Sequence, residues 1–445
     1  MCTLKTKSTE IMKKDCLLSD LEPCERTNNN GGGGSEFNNN CGVLLLSQQE
    51  CSAIFKSLKY LDKMHELLKP LETLTEKMRQ QYQDNTLSMK GLLERLNDDE
   101  SVIIAEGYAF HLDRLGYLQF GSGVPEAVLD HPEVVRSAYR DFVHNGSDVV
   151  LAFTYYATRV KARLKGVEDS LERMNRAALK MAREVADSTG TLMAGNICNT
   201  NIYQPDNEGR RDEIWNMFKE MIEWAVEAGA DFIVGETYAH LGEAMLALKA
   251  IKEFGKGLPA VITLAPFVVS TKNGQAITAD MVPLTEACKK LEEAGADVVG
   301  LNCGRGPATM MPLMEEIRKT CKGPLAALPV PYRTTVEQPT FFMLTDPVTG
   351  RKLFPEDTEV SSCIREDIYQ FGKRCRELGI QYFGICCGNR PVLMRSLAES
   401  LGRSPPSSRF SADMSRHYVY GTDTKVKKDV SDESMKLYHT LGEVK

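Results

Sequence analysis

The sequence lacks the features that mark several large classes of protein. Its 445 residues contain no uninterrupted apolar run of the roughly 18 residues that a membrane-spanning helix needs. The formal net charge is -7, so the basic surface expected of a nucleic-acid binder is missing. Residues 1–24 also lack the apolar segment of a secretory signal. We therefore expect a cytoplasmic protein that binds neither nucleic acid nor membranes.

Cysteine and histidine usage excludes two further classes. Secreted domains held by disulfides are short and dense in cysteine, whereas this chain is long and has an odd number of cysteines, 13. None of the seven histidines shows the spacing of metal ligands, which argues against a histidine-rich metal site. Most of the cysteines are expected to be small buried residues, and four lie in helical patterns: Cys288, Cys321, Cys363 and Cys375.

The two ends of the chain differ from its middle. Residues 28–40 read NNNGGGGSEFNNN, a low-complexity stretch that cannot form a core, and residues 1–46 are predicted to be disordered. In residues 47–90 apolar side chains recur at helical spacing from Leu58 to Leu68, and Pro70 interrupts them, which predicts a helical extension. Residues 403–445 are rich in serine, proline and charge, and we expect a short C-terminal arm.

Residues 91–402 alternate short apolar runs with amphipathic segments. Continuous apolar runs are typical of parallel strands that are buried on both faces. The predicted strands are 101–107, 148–156, 191–197, 230–237, 258–265, 296–303, 324–330 and 381–387. Helical segments follow them, such as 168–188, 211–227, 241–254, 284–294, 310–319, 363–378 and 391–401.

Eight such units in one domain predict an α/β fold of the (β/α)8 TIM-barrel class. An open doubly wound sheet is the competing interpretation, but AEGYAF at residues 105–110 lacks the glycine fingerprint expected after its first strand. In a barrel the chemistry lies at the C-terminal ends of the strands. Those ends carry polar and thiol side chains: Glu106, Thr154, Tyr155, Tyr156, Asn196, Glu236, Asn302, Cys303, Cys386 and Cys387.

Three of these cysteines suggest a metal centre. Cys303 ends the sixth predicted strand, and Cys386 and Cys387 end the eighth, so only one strand separates them in a barrel. Sulfur ligands favour zinc over magnesium or calcium, and three protein ligands leave one tetrahedral position open, as in catalytic zinc sites. A substrate thiol bound there would be a reactive thiolate at neutral pH. We therefore predict alkyl transfer to a small thiol, with no protein nucleophile.

Another interpretation remains open from the cysteines alone. Cys386 or Cys387 could be the nucleophile of a metal-free barrel enzyme. The metal content of the protein distinguishes this hypothesis from the zinc site.

The cysteine motifs resemble those of a known family. GLNC at residues 300–303 and GICCG at 384–388 are similar to the paired zinc motifs of the homocysteine S-methyltransferases. Blocks elsewhere strengthen the resemblance, which covers residues 91–402 and is closest to the betaine-using members. They are GLLERLNDDESVI at 91–103, AFTYYAT at 152–158, the GET to HLGEA segment at 235–244, and ELGIQYFGICCG at 377–388.

The resemblance implies a barrel that holds Zn²⁺ on Cys303, Cys386 and Cys387 and methylates homocysteine to methionine. It also implies that Glu236 pairs with the homocysteine amino group, and that Asn302 orients the site. Tyr156 corresponds to a tyrosine that contacts the methyl donor, and an aromatic ring suits an onium donor through cation–π attraction. Since Tyr155 and Tyr156 alternate along a predicted strand, we expect only one of them to face the mouth.

The sequence also departs from the family at three places. Ala105-Glu106-Gly107 stands where the family usually has Asp-Gly-Gly, whose backbone holds the homocysteine amino-acid end, so Glu106 and Gly107 are candidate substrate contacts. Betaine-using members carry a tryptophan before the Pro-Glu-Ala block, and here Gly123 and Val124 precede Pro125. Thr237 stands where the family pairs its glutamate with tyrosine.

These departures leave two questions open. The donor is either betaine or a sulfonium such as S-methylmethionine. The alternative function is a barrel that binds zinc and thiols without methyl transfer, as a sensor or assembly partner. Because segments after the barrel assemble oligomers in the family, residues 410–421 are expected to contribute to a homo-oligomer.

Overall fold

The computed structural model describes residues 89–119, 124–269 and 274–417, with isolated positions at 56–69 and 422–440. The chain divides into two units, residues 1–79 and 80–445. The predicted disordered segment, nearly all of the helical extension and most of the C-terminal arm lie outside the described residues. Within the described part, no helix combines the length and apolarity needed to cross a bilayer.

Strands form where the apolar runs predicted them, and all eight predicted strands are confirmed. Two further short strands, Val268–Val269 and Ala276–Ile277, pair with each other in antiparallel fashion. In chain order the strands are β1 (Val102–Ala105), β2 (Val149–Leu151), β3 (Leu192–Cys198), β4 (Phe232–Tyr238), β5 (Ala260–Leu264), β6 (Val268–Val269), β7 (Ala276–Ile277), β8 (Val298–Asn302), β9 (Leu325–Leu328) and β10 (Tyr382–Ile385).

The eight longer strands close into a parallel barrel, which confirms the predicted fold and excludes the open sheet. The order around the barrel is β1-β10-β9-β8-β5-β4-β3-β2, and β1 pairs with β2 to close it. Every residue of these eight strands is buried. Burial on both faces explains why the strands have continuous apolar sequences rather than alternating ones.

The helices surround this barrel. The predicted helical segments are confirmed, with ends that shift by a few residues. The helices are α1 (Leu92–Asn97), α2 (Tyr108–Arg114), α3 (Ala127–Asp130), α4 (Pro132–His144), α5 (Arg159–Lys165), α6 (Leu171–Thr189), α7 (Glu208–Glu227), α8 (Leu241–Phe254), α9 (Leu284–Glu293), α10 (Pro307–Thr320), α11 (Arg365–Glu377) and α12 (Pro391–Ser400).

The four cysteines placed in helical patterns are buried, as predicted. Two of them lie just outside the helices: Cys321 is the residue after α10, and Cys363 comes two residues before α11. Helix ends are the least certain part of any pattern-based assignment.

The barrel order places β9 alone between β8 and β10, which confirms that one strand separates the two cysteine motifs. Glycines in both motifs permit close packing of neighbouring strands. A Cβ at Gly300 would overlap the Ala326 carbonyl on β9, and one at Gly384 would overlap the Ile104 carbonyl on β1. The glycines of GLNC and GICCG thus let each cysteine-bearing strand pack closely against a neighbour, β8 against β9 and β10 against β1.

Candidate active site

Three thiols meet at one end of the barrel. Cys303 follows β8 directly, and Cys386 and Cys387 follow β10. Their sulfur atoms all lie within 4.8 Å of one another, and the Cys386 and Cys387 Sγ atoms are 3.8 Å apart. Cys303 and Cys386 are buried, whereas Cys387 is partly exposed. The structure therefore brings together all three cysteines predicted to bind a metal.

Backbone hydrogen bonds to β9 and the residue after it fix two of these thiols. The Cys303 amide donates to the Leu328 carbonyl at 2.8 Å, and the Cys386 amide donates to the Pro329 carbonyl at 2.9 Å. Cys303 also has a positive φ of 60°, a strained backbone that few non-glycine residues adopt. This left-handed turn ends the strand.

The thiols influence one another electrostatically. Hydrogen bonds from the Cys386 and Cys387 thiols hold the pKa of Cys303 well below its usual range. Burial raises the pKa of Cys386, and the hydrogen bond with Cys303 raises the pKa of Cys387. Cys303 is thus the thiol whose ionisation the cluster favours most, and a bound metal would favour ionisation of all three.

Two buried carboxylates lie beside the thiols and are bridged by Asn302. The Asn302 amide nitrogen is 2.9 Å from Glu236 Oε2 and 3.3 Å from Glu106 Oε2. It also lies 2.8 Å from the Thr237 hydroxyl, and the Thr237 amide donates to Asn302 Oδ1 at 2.9 Å. Asn196 donates a further hydrogen bond to Glu236 Oε1. Glu236 is therefore held from both sides by amide side chains.

Burial dominates the charge state of both carboxyls. It raises the pKa of Glu236 to about 7, and the nearby Cys303 charge acts in the same direction. Burial and then the Glu236 charge raise the pKa of Glu106 well above its ordinary value. Among the described side-chain atoms that lack a hydrogen-bond partner is Glu106 Oε1. Glu106 is fully buried and is not among the residues that line the cavity, whereas Glu236 is.

The turn after β1 packs against the cysteine loop. Gly107 has a φ of 79°, and a Cβ there would overlap the Cys386 carbonyl. The Glu106 amide donates to the Ile385 carbonyl at 3.1 Å, and the buried Asn389 amide group links the Glu106 and Ile385 carbonyls. Sequence reasoning missed Asn389, although it follows the GICCG motif directly.

A cavity of about 420 Å³ opens above the thiols. We call its inner end the cavity floor, formed by Gly107, Asn196, Glu236, Cys303, Cys386 and Cys387. We call its outer side the cavity wall, formed by Tyr155, Tyr156, Lys161, Phe267, Phe341, Phe342 and Phe354. The residues of the floor come from strand ends, whereas those of the wall come from loops and from α5.

The expectation that only one of Tyr155 and Tyr156 faces the mouth is wrong. Both line the cavity, and their ring centres are 4.2 Å apart. The strict alternation of a strand does not apply, because β2 ends at Leu151 and Tyr156 has a φ of 61°. The Tyr156 amide then donates to the buried Cys198 sulfur at 3.3 Å, which fixes the turn.

Sequence reasoning missed the phenylalanines of the wall. Phe341, Phe342 and Phe354 lie in the long segment between β9 and α11, and Phe342 packs on Phe267 with ring centres 5.3 Å apart. The one available signal was the adjacent Phe-Phe pair at residues 341 and 342 in this long segment without a strand or helix pattern. Gly123, at the position of the expected tryptophan, lies outside the described residues, but Val124 and Pro125 line the cavity.

Comparisons with known proteins assign the chain to a family. The family model for homocysteine S-methyltransferases matches residues 91–401. The chain is 32% identical over 333 residues to betaine–homocysteine S-methyltransferase 1 of Mus musculus, covering 72% of this chain and 77% of that one. It is also 32% identical over 334 residues to S-methylmethionine–homocysteine S-methyltransferase BHMT2 of Mus musculus, covering 73% of this chain and 86% of that one.

A solved structure shares the fold. The metallated form of the homocysteine methyltransferase MmuM from Escherichia coli superposes with a TM-score of 0.52 and 16% identity, covering 69% of this chain and 99% of that one. At this identity the likeness shows the barrel fold alone. The family match, which spans the whole barrel, and the relatives above show that the chain belongs to the homocysteine S-methyltransferase family of methyltransferases.

Proposed function

We propose that the protein is a zinc-dependent S-methyltransferase that transfers a methyl group from an onium donor to homocysteine and forms methionine. The observation that carries this proposal is the cluster of three thiols, within 4.8 Å of one another, on the floor of a cavity that Glu236 also lines. The names of the relatives support homocysteine as acceptor. They also leave betaine and S-methylmethionine as the two donors to be tested.

The thiol geometry supports zinc as the metal. Four ligands at a Zn–S distance of about 2.3 Å form a tetrahedron with edges of about 3.8 Å. The Cys386 and Cys387 sulfurs are separated by 3.8 Å, and Cys303 Sγ lies within 4.8 Å of both. The three cysteines would hold the ion and leave one position for the substrate sulfur. When bound, zinc lowers the pKa of a coordinated thiol and so supplies a thiolate at neutral pH.

The floor can also position the amino-acid end of homocysteine. The Glu236 carboxylate would pair with the substrate ammonium group, and Asn196 and Asn302 hold that carboxylate in place. Gly107 lines the cavity beside them, and its lack of a side chain lets the turn after β1 pack against the Cys386 carbonyl. Fixing both ends of the acceptor places its sulfur in attack geometry, which replaces a large entropic cost of a bimolecular reaction.

The wall then receives the donor. The substrate thiolate attacks the donor methyl carbon, a new S–C bond forms, and the electron pair of the broken bond stays on the donor nitrogen or sulfur. No protein nucleophile takes part. Burial raises the pKa of Tyr156 to about 12, and a neutral aromatic ring on the wall attracts an onium group through its face. Aromatic side chains around the methyl group exclude water, and an onium that loses its hydration shell becomes more reactive.

A donor panel tests the proposal. We expect the purified protein to contain one zinc per chain and to form methionine from homocysteine with betaine or S-methylmethionine, but not with methyl-folate. Omission of homocysteine is the control. A folded, zinc-loaded protein that forms no methionine with any donor would support a zinc and thiol sensor instead. Full activity without any metal would support a cysteine nucleophile.

We further propose that the start of the C-terminal arm contributes to a homo-oligomer. Ser408 and Ser411 each donate a hydrogen bond to Glu399 on α12 at 2.8 Å, which anchors the arm to the barrel. Phe410 and Met414 nevertheless remain 65% and 57% exposed. Apolar side chains on an anchored segment suit a second copy of the chain. Light scattering of the full chain should give an oligomer mass that falls when both residues are changed to serine.

A further inference from the structure

Lys161 places a cation on the cavity wall. It lies in the first turn of α5, after Thr158, whose hydroxyl accepts a hydrogen bond from the Lys161 amide at 3.4 Å. Its side chain is half-buried and lines the cavity. The Lys161 ammonium lies 4.4 Å from the centre of the Tyr156 ring. The chain's own cation therefore occupies a face of the ring that the family resemblance assigns to the methyl donor.

The other basic side chains of α5 behave differently. Among the described residues no carboxylate lies within 4.0 Å of the Lys161 ammonium. Burial without such a partner lowers the pKa of Lys161. The three remaining basic residues of the helix each pair with a glutamate: Arg159 with Glu220 at 2.6 Å, Arg163 with Glu168 at 3.2 Å, and Lys165 with Glu126 at 3.7 Å.

An ammonium group at this position discriminates between donors by charge. It repels the onium group of a donor and attracts an anionic group at the donor's other end. The opposite end of the cavity carries the acidic groups, Glu236 and the three cysteine thiols. A zwitterion with its onium toward the floor and its carboxylate toward Lys161 would match both ends.

We propose that Lys161 binds the carboxylate of a zwitterionic methyl donor and thereby selects donors that combine an onium methyl group with an anion. The inference rests on the proposed function, because it assigns a specificity role within the same cavity. When the ammonium moves from the ring to the carboxylate, it also frees the face of Tyr156 for the onium. One cation thus replaces another on the aromatic ring.

Matched donors test this assignment. Betaine and betaine amide share the same trimethylammonium group, but the amide has no negative charge. We expect Lys161→Met to raise the KM for betaine by roughly 10- to 100-fold, the loss typical of a charge-assisted contact. The KM for betaine amide should stay within about twofold or fall, because a cation that repels the onium is gone, and the KM for homocysteine should change less than about twofold. If S-methylmethionine is the better donor, the same comparison is made with its amide.

Two control variants separate charge from packing. Lys161→Arg keeps the cation and should retain most of the preference for the carboxylate donor. Lys165→Met removes a neighbouring ammonium that already pairs with Glu126, so it should leave both donors unaffected. Equal losses with betaine and betaine amide in Lys161→Met would reduce Lys161 to a packing residue and overturn the proposal.

Binding measurements keep this inference separate from the proposed reaction. If the wild type transfers no methyl group, the proposed function fails. Calorimetric titration of betaine and S-methylmethionine into the zinc-loaded protein still tests whether Lys161 binds the donor carboxylate. Binding that weakens at least about tenfold in Lys161→Met, for the zwitterions but not for their amides, supports the carboxylate site. Absence of binding by the wild type, or equal affinity in the two proteins, refutes it.

Discussion

The floor and the wall of the cavity are built in different ways. Floor residues lie on or directly after barrel strands, and backbone hydrogen bonds to neighbouring strands hold them. Wall residues come from α5 and from loops, among them the long segment between β9 and α11. Rigid strand ends suit chemistry that is common to a family, whereas loops can change without disturbing the barrel. The comparison teaches that acceptor and metal chemistry should depend on the floor, and donor choice on the wall.

Among changes to the floor, loss of a metal ligand should reduce activity the most. Cys303→Ala leaves two thiols, and we expect zinc to be lost and methionine formation to fall by at least about 1,000-fold, beyond the 10- to 100-fold typical of residues behind the ligands. Metal analysis and the transfer assay measure both effects. Cys363→Ala, a buried cysteine outside the site, is the control and should keep its zinc. Retained activity in the Cys303 variant would contradict the metal site.

Glu236 should affect the acceptor and leave the donor unchanged. Glu236→Gln removes the charge that pairs with the homocysteine ammonium, and kcat/KM for homocysteine should fall by about 100-fold. The KM for the donor should stay within about twofold of the wild-type value. An equal rise in both KM values would show that floor and wall are not separate.

Glu236 should also make the stability of the metal-free protein depend on pH. Its pKa rises from 4.5 to about 7 on folding, so folding favours the protonated form. The stability that this proton gives is present below pH 4.5 and is lost as the pH rises through about 7. The stability of Glu236→Gln relative to the wild type, measured by thermal unfolding, should therefore increase as the pH rises across this range. The same substitution at the exposed Glu253 is the control for the change from Glu to Gln itself.

Alanine substitutions at two glycines with nearly equal φ distinguish the cost of backbone strain from the cost of crowding on the floor. Gly107 has a φ of 79° and Gly116 a φ of 80°, but only Gly107 has neighbours within 4 Å of an added Cβ. Gly116→Ala should cost about 1 kcal/mol of unfolding free energy through strain alone. Gly107→Ala should cost about 3 kcal/mol, because the cysteine loop must also move, and it should weaken zinc binding. Urea unfolding measures the difference, and equal costs would contradict the overlap.

The smallest effect is expected on the wall. Phe342 contacts Phe341 and Phe354 with ring centres 4.1 and 4.6 Å apart. Phe342→Ala should raise the donor KM by about five- to tenfold through lost aromatic contacts, and leave the homocysteine KM unchanged. Val348→Ala lies on the same segment and is 90% exposed, so it should have no effect. A change confined to the homocysteine KM would assign this side of the cavity to the acceptor.

The sequence by itself determined the barrel and most of its floor. Continuous apolar strands and amphipathic helices indicate a parallel sheet covered on both faces. The floor residues Asn196, Glu236, Cys303, Cys386 and Cys387 follow from their places at strand ends. Local periodicity is enough to place these residues, because the C-terminal ends of all the parallel strands lie at the same end of the barrel.

Only the tertiary structure decided the wall. Tyr155 and Tyr156 both face the cavity because a left-handed turn at Tyr156 replaces the strand in which they would alternate. Phe342 and Lys161 reach the same cavity from segments that are about 180 residues apart in the sequence. Loops lack the repeating backbone geometry that lets a sequence pattern predict direction. The contacts between distant loops therefore set the wall, and no local pattern in the sequence encodes them.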